Sequence, residues 1–340
     1  MHRKRVTLKT MANMLGMTTA TISKALRDGN DISESTREKV KALADKLGYQ
    51  PNLMARNLVR RRTHFIGTII PDLRISFFSE VTRGIYEFSR QYGYESILMV
   101  NDESSENEKR NLDFFSALHV DGILIDIAPD MANIQYVQRL QKQGIPIVAY
   151  DRIIEGLNVS SVTIDDERAA FDVTEKFIKE GKKKIMYLGR TDQPTVAKFR
   201  FLGYKKALKK NKLPIRPELI LCCQIDASDA QSKMCQAMEV GIVPDAVICV
   251  GGLVAYGAGR AILSHNYSIP NDVTLAEFGD NDIVARLGVP FVTVNQFPYK
   301  MGRKAAQLLI DIISARASGE PINEFQKVLI DTEVVLRTLN

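Results

Sequence analysis

The chain is poor in the residues and runs that mark several large functional classes. It has only four cysteines, Cys222, Cys223, Cys235 and Cys249. They lack metal-ligand spacing, and an adjacent pair suits a disulfide scaffold badly, so buried thiols in a reducing compartment are expected. Only four histidines are present, His2, His64, His119 and His265, and none falls in an H-E-x-x-H motif. There is no P-loop and no G-x-S-x-G. The glycine-rich stretch "VGGLVAYGAG" at 250–259 does not fit G-x-G-x-x-G, and no acidic residue follows at the distance a ribose contact needs. No cofactor is expected and an enzyme is not. No apolar run approaches the roughly 20 residues of a membrane span. The basic start, Met1 to Arg5, is followed by Lys9 and Asn13 where a secretory signal needs apolar residues. Neither a signal peptide nor a membrane partner is expected, and a cytoplasmic location is.

What is present is unevenly charged. Residues 1–62 hold 14 Lys and Arg against 5 Asp and Glu, a net of +9. The whole chain has 46 against 40, which leaves 32 against 35 for residues 63–340, a net of −3. A small basic head on a mildly acidic body is the charge distribution of a protein whose head meets a polyanion.

The head reads as three short helices. Leu8, Met11, Ala12 and Leu15 recur at helical spacing, so the first helix runs from Thr7 to Leu15. Gly16 can end it in the left-handed conformation. Thr18 can cap the next helix, whose buried stripe is Ile22, Ala25 and Leu26. Asp28-Gly29-Asn30-Asp31 is turn chemistry. Ser35-x-x-Glu38 has capping-box spacing, with Ser33 a rival cap, before the apolar face Val40, Leu43, Ala44, Leu47 and the stop at Gly48. Two helices on a tight glycine turn make a helix-turn-helix, whose second helix enters the DNA major groove. That accounts for the small polar start of helix 2. Thr19, Ala20, Thr21 and Ser23 permit close approach, their hydroxyls can bond phosphates or bases, and methyls can contact thymine. Lys24 can reach guanine or phosphate.

The continuous stretch from Val6 to Asp72, "VTLKTMANMLGMTTATISKALRDGNDISESTREKVKALADKLGYQPNLMARNLVRRRTHFIGTIIPD", closely resembles the head of the LacI/GalR family of bacterial transcription regulators. The resemblance implies a DNA-binding domain over 1–50 and a hinge over 51–62. It implies DNA contacts by Thr7, Thr18, Thr19, Ala20, Thr21, Ser23 and Lys24, with Asn52, Ala55, Arg56 and Leu58 in the hinge. In the family the hinge folds on the operator beside its twin, and a leucine at the place of Leu58 wedges into the minor groove. Lys24 stands where the family often has Arg, which alone makes a planar two-pronged contact. Val59 stands where some relatives carry a basic residue.

From Phe65 onward, apolar runs such as "FIGTII", "GILIDI", "KIMYLG" and "VTLAEF" alternate with helical segments near 77–92, 104–118, 131–143 and 298–317. "LILCC" at 219–223 reads as one more strand. Continuous apolar strands between helices indicate buried parallel sheets, and two such series indicate two doubly wound lobes. The expected fold class is therefore α/β, a small all-α helix-turn-helix head followed by a two-lobed, doubly wound parallel-sheet core. The body resembles the family's periplasmic-binding-protein-like core (type I). That implies lobe 1 over about 63–161 and 295–322, lobe 2 over about 162–294 and 323–340, and an effector between them. It also implies effector contacts by Phe77 and Phe78 on the first loop, Asp151 and Arg152 at a strand end, Arg200, Asp280 and Gln296, with aromatic faces for a sugar ring and fixed donor forks for hydroxyls. The chain departs from the family at Gly251-Gly252, where Asn or Asp is common. It departs again at Gly279, with Asp280 one place late, and at Ile75-Ser76, where Asn-Pro is usual. The expected protein is a transcription regulator of the repressor type, a homodimer or tetramer. Its partners would be a pseudo-palindromic double-stranded operator and a small-molecule effector, a sugar or sugar phosphate. The alternative, a solute-binding protein of a sugar transporter, shares the body's fold but not the basic head.

Overall fold

The computed structural model describes residues 6–29, 31–49, 62–152, 156–191, 196–279, 282–320 and 325–338. They separate into a unit over 1–63 and a unit over 64–340. The expected hinge contacts Asn52, Ala55, Arg56 and Leu58, and the cavity candidate Asp280, lie outside the described residues.

In the first unit, α1 spans Leu8–Leu15, α2 Thr19–Ala25 and α3 Glu34–Leu47. Local chemistry sets each end. Thr7 Oγ1 accepts from Thr10 N at 3.2 Å, and Thr18 Oγ1 from Thr21 N at 3.1 Å. Gly16 and Gly48 close α1 and α3 at φ 64° and 62°, which a Cβ would resist. The cap of α3 is Ser33 and not Ser35. Ser33 is extended and its Oγ accepts from Thr36 N at 3.4 Å, whereas Ser35 already lies inside the helix. Met11, Ala12, Ile22, Ala25, Val40 and Ala44 form the core. Partly buried residues such as Leu8, Leu26 and Leu43 pack around them, and in so small a core the caps still matter.

The second unit contains two six-stranded sheets. The first is built from β1 (Phe65–Ile70), β2 (Glu95–Val100), β3 (Gly122–Ile125), β4 (Ile147–Tyr150), β5 (Ser160–Thr163) and β11 (Lys327–Leu329), in the order β11-β5-β4-β3-β1-β2, parallel throughout. The second is built from β6 (Ile185–Leu188), β7 (Ile220–Leu221), β8 (Ala246–Cys249), β9 (Thr274–Phe278), β10 (Phe291–Asn295) and β12 (Glu333–Arg337), in the order β12-β10-β9-β8-β6-β7. Only β12 runs antiparallel there, against β10.

The first sheet is covered on both faces, as its unbroken apolar strands require. α4 (Ser76–Gln91) and α12 (Pro298–Ser318) lie on one face, with Val81 and Ile85 against Ile66, Ile70 and Val148. α5 (Ser105–Leu118) and α6 (Ile134–Lys142) lie on the other, with Leu112, Phe115 and Val137 against Ile69, Ile123 and Ile125. The alternation of Ile66 and Ile70 with Ile69 is the period of two along β1. α4 and α12 approach backbone to backbone. A Cβ on Gly302 would stand 2.0 Å from the Val81 carbonyl oxygen, and one on Gly84 2.3 Å from that of Tyr299. In the second sheet, α7 (Asp166–Lys179) packs on α8 (Val196–Lys210), and α9 (Ala227–Glu239) on α10 (Gly252–Ser264); the short α11 (Asp282–Ala285) follows β9.

Three expectations change. The lobe boundaries move, because β5 runs to Thr163 in the first sheet, β10 holds Asn295 in the second, and β11 pairs with β5. The last crossing therefore follows Leu329 instead of preceding 323. Hydrogen bonds from Ser161 N to the Gln326 carbonyl and from Ile330 N to the Thr163 carbonyl decide this, and no local signal carries it. The strand expected at "LILCC" holds only Ile220–Leu221, and Cys222 beyond it is exposed, while Cys223 and Cys249 are buried. Phe77 and Phe78 sit in the first turn of α4, not on a loop. Among the described residues no helix is long and apolar enough to cross a membrane.

Candidate functional site

In the head, α2 turns Ile22 and Ala25 inward and leaves Thr18, Thr19, Ala20 and Lys24 exposed, with Thr21 and Ser23 half-buried. Three of the hydroxyls, of Thr18, Thr21 and Ser23, are already engaged. Thr21 Oγ1 lies 2.9 Å from that of Thr18, and Ser23 Oγ accepts from Arg27 Nη2 at 3.1 Å. Thr7 is exposed at the start of α1 and also serves as its cap. Thr19 and Ala20 are thus the outward residues at the helix start with no structural duty. Lys24 Nζ pairs with Asp31, and that hydrogen bond holds the Asp31 carboxyl below its usual range. Both are about half exposed, so the pair is weak and a phosphate or guanine can displace Asp31.

In the body, a cavity of about 120 Å³ opens where strands of both sheets end, room for several waters or a small polar molecule. Ligand sites of open α/β sheets form at the carboxyl ends of strands, and the lining follows that rule. Asp151 and Arg152 follow β4, Val250 to Gly252 follow β8, Phe278 ends β9, and Gln296 follows β10. Arg200 enters from α8. Of the expected residues, Phe77, Phe78, Asp151, Arg152, Arg200 and Gln296 all line this one cavity.

Their roles differ from expectation. Phe77 and Phe78 meet edge to face, with ring centroids 5.1 Å apart, and are buried in the core of the first sheet. They form a wall more than a free stacking platform. Arg152 is held internally. Nη1 donates to the Ile127 carbonyl at 2.8 Å, Nη2 to Glu103 Oε1 at 2.6 Å, and Nε lies 3.5 Å from Asp126 Oδ1. Burial opposes its charge, but Asp126 and Glu103 hold it on the protonated side. Arg200 is likewise engaged. Nε donates to Asp166 Oδ1 at 2.7 Å, Nη1 to the Val250 carbonyl at 2.6 Å, and Nη2 to Gln296 Oε1 at 3.0 Å, with its guanidinium 4.1 Å above the Phe278 ring. A guanidinium has five N–H groups, so each arginine is fixed in orientation with N–H groups still to offer.

The carboxyl groups at and behind the cavity differ in availability. Asp151, at φ 62°, is 7% exposed, and among the described residues none donates to its carboxylate. Burial pushes it up against the pull of Arg152 and Arg200. Asp126, directly beyond β3, is fully buried with both oxygens lacking a hydrogen bond, and burial pushes it well above its usual range. Glu108 is also raised by burial, although Asn133 and the Ala128 N–H donate to it. Burial lifts Asp166 to about 7 despite Arg200. Asp126 and Asp166 were not anticipated from the sequence. Neither were the lining residues Glu103, Arg190, Ile225, Leu253 and Ile283. Glu103, Asp126 and Arg190 stand just beyond strands, a signal that was legible. The three aliphatic residues are indistinguishable in sequence from core.

Two family models match the chain. "Bacterial regulatory proteins, lacI family" matches residues 7–52, and "Periplasmic binding proteins and sugar binding domain of LacI family" matches residues 63–332. The chain is 30% identical to the HTH-type transcriptional regulator RegA of Clostridium saccharobutylicum, over 96% of this chain and 98% of that protein. It is 28% identical to the HTH-type transcriptional repressor CytR of Escherichia coli (strain K12), over 97% and 95%. Among solved structures, it resembles the lac repressor dimer bound to operator and the anti-inducer ONPF, with a TM-score of 0.84 at 22% identity, covering 98% of each chain.

Proposed function

The chain belongs to the LacI family of bacterial regulatory proteins, and on that footing we propose how its two units divide the work of a ligand-responsive transcriptional repressor. The head reads operator DNA, and the body binds a sugar-class effector in the cavity between the two sheets. The observation that carries the reading is the presence in one chain of a helix-turn-helix with an outward, unengaged Thr19-Ala20 face and of a cavity lined by the buried, unanswered Asp151. A transport solute-binding protein has no use for the first, and among the described residues no catalytic constellation accompanies the second. The protein acts in the cytoplasm and is not an enzyme.

The operator is a pseudo-palindrome met by a homodimer, since a twofold protein presents two reading helices one helical turn apart. The lac repressor was solved as a dimer on its operator, which supports this arrangement. Residues 51–62 act as the hinge, with Leu58 entering the minor groove as an apolar wedge. For the cavity, the structure of CelR with cellobiose, to which the chain is similar at a TM-score of 0.70 and 23% identity, supports a sugar-type ligand. Asp151 accepts from the ligand, Gln296 donates to it, and Arg200 positions Gln296. The test is a gel-shift series with the protein's own genomic fragments and a sugar library. A small set of fragments should shift specifically, and one sugar should change that shift. Uniform binding of all fragments, or specific binding that no sugar alters, would sink one half of the reading or the other.

A further inference from the structure

The cavity presents groups of opposite character on its two walls. On the side of the second sheet, the 13-residue helix α10 begins at the cavity, where Gly251, Gly252 and Leu253 line it. Its N-cap, Gly251, has no side chain to accept from the first turn. Among the described residues nothing accepts from the N–H groups of Gly252, Leu253 or Val254. A Cβ on Gly251 would meet nothing within 4 Å, so the space above this helix start is open. A helix start of this kind gathers unanswered N–H donors and a partial positive charge, and favours an anionic group. Gln296, 3% exposed on the same cavity, has its oxygen bound to Arg200, which leaves its amide N–H groups as donors among the described contacts.

On the side of the first sheet the balance is reversed. Asp151 lines the cavity with no donor among the described residues. Glu103 also lines the cavity, with Glu108, Asp126 and Asp166 behind it; of the four guanidiniums on the lining, Arg74, Arg152, Arg190 and Arg200, none donates to Asp151 among the described contacts. Asp126 carries two oxygens with no hydrogen bond at all. A buried carboxylate in such company gains most from a positive donor.

Resting on the reading of this cavity as a sugar-effector site, we propose that the effector is an amino sugar bearing an acid group, its ammonium against Asp151 and its phosphate or carboxylate on the start of α10. A neutral sugar answers Asp151 with hydroxyls but leaves the helix start empty. An unsubstituted sugar phosphate answers the helix start but brings no positive donor to Asp151, which none of the lining arginines reaches with a hydrogen bond among the described contacts. Ile225, Leu253 and Ile283 add an apolar part to the lining, which suits the faces of a ring.

The experiment is titration calorimetry on the full chain with four probes in each of the glucose, galactose and mannose series: the free sugar, its 2-amino derivative, its 6-phosphate, and the 2-amino 6-phosphate. In one series the doubly substituted probe should bind at least about tenfold tighter than either singly substituted one, which is about 1.4 kcal/mol. Asp151→Asn should abolish the gain from the amine and keep that from the phosphate. Gly251→Asp places a carboxylate in the open space over α10, at a φ of 179° that any residue adopts. It should abolish the gain from the phosphate and keep that from the amine. If a free sugar binds as tightly as its doubly substituted form, the proposal is overturned while the sugar-effector reading stands. If no probe and no member of a wider neutral-sugar panel binds, both are overturned. The wild-type comparison decides by itself should either variant fail to fold.

Discussion

Asp166 and Arg200 illustrate how one residue pair joins separate parts of the chain. Asp166 opens α7 just after the chain leaves the first sheet, Val250 ends its run at β8, and Gln296 lies where the chain returns, and Arg200 bonds all three. Lysine could not reproduce this fork, because it offers a point charge on a flexible stem. The pair also makes a pH prediction. Burial raises the folded carboxyl of Asp166 to about 7, above the roughly 3.9 of an unfolded aspartate. A raised carboxyl binds protons in the folded state that the unfolded state has released, so stability falls as pH rises between about 4 and 7. Asp126, Asp151 and Glu108 are raised by burial too and act in the same direction. Surface carboxylates such as Asp113 and Glu175, held low by Lys109 and Lys210, oppose them only in stronger acid. Thermal unfolding should therefore give a higher midpoint near pH 6 than at pH 8, and Asp166→Asn should reduce the difference. A midpoint that rises steadily to pH 8 in the wild type would contradict the assignment.

At the scale of elements, α2 is short enough for every residue to have a task. Thr18 caps it, Ile22 and Ala25 anchor it, and Thr21 and Ser23 share their hydroxyls with Thr18 and Arg27. Among the described residues of α2, only Thr19 and Ala20 are both outward and unengaged at the helix start proposed to enter a major groove. Their exchange for other small polar residues should change the preferred operator in a selection from random DNA, by about 1–3 kcal/mol per altered base contact. The fold should survive, since neither side chain supports the core. Selection of the wild-type site by both variants would move the reading face elsewhere on the head. Thr18→Ala would blur the same experiment, because losing a cap costs about 1 kcal/mol of helix stability. The cavity is also an element-level product. Its lining comes from strand ends and helix starts, and the close approaches at Gly84 and Gly302 let α4 and α12 cover the first sheet that carries Asp151.

At the scale of the whole molecule the charge asymmetry governs. The net of +9 on residues 1–62 is partly used within the head, where Lys24 pairs with Asp31 and Lys41 with Asp28. DNA must compete with these weak exposed pairs, so binding should be strongly salt-dependent. The logarithm of the association constant should fall against that of salt with a slope of about −0.9 per phosphate neutralised. Filter binding between about 50 and about 200 mM salt checks it; a slope near zero would remove the polyanion reading of the head. Effector and operator should influence each other reciprocally, by about 1–3 kcal/mol.

Sequence alone determined the features that rest on local chemistry. Gly16, Thr18 and Gly48 mark helix ends because a left-handed turn and a side-chain cap need only their own neighbours. The alternation of apolar strands and amphipathic helices announces buried parallel sheets because both faces of each strand must be covered. Asp151, Arg200 and Gln296 were legible because strand ends and the family resemblance point to them. What only the tertiary structure decided are relations between distant segments. β11 joins the first sheet through contacts with β5, more than 160 positions earlier in the chain at Gln326 and Ser160. Arg152 is occupied by Glu103 and Asp126, and Arg200 by Asp166, so two expected ligand forks are fixed supports. Glu103 and Asp126 could be placed beyond strand ends, but that Glu103 lines the cavity while Asp126 and Asp166 are buried against Arg152 and Arg200 depends on the fold. A side chain's partner and its dielectric surroundings are set by which segments the fold brings together, and no local pattern encodes them.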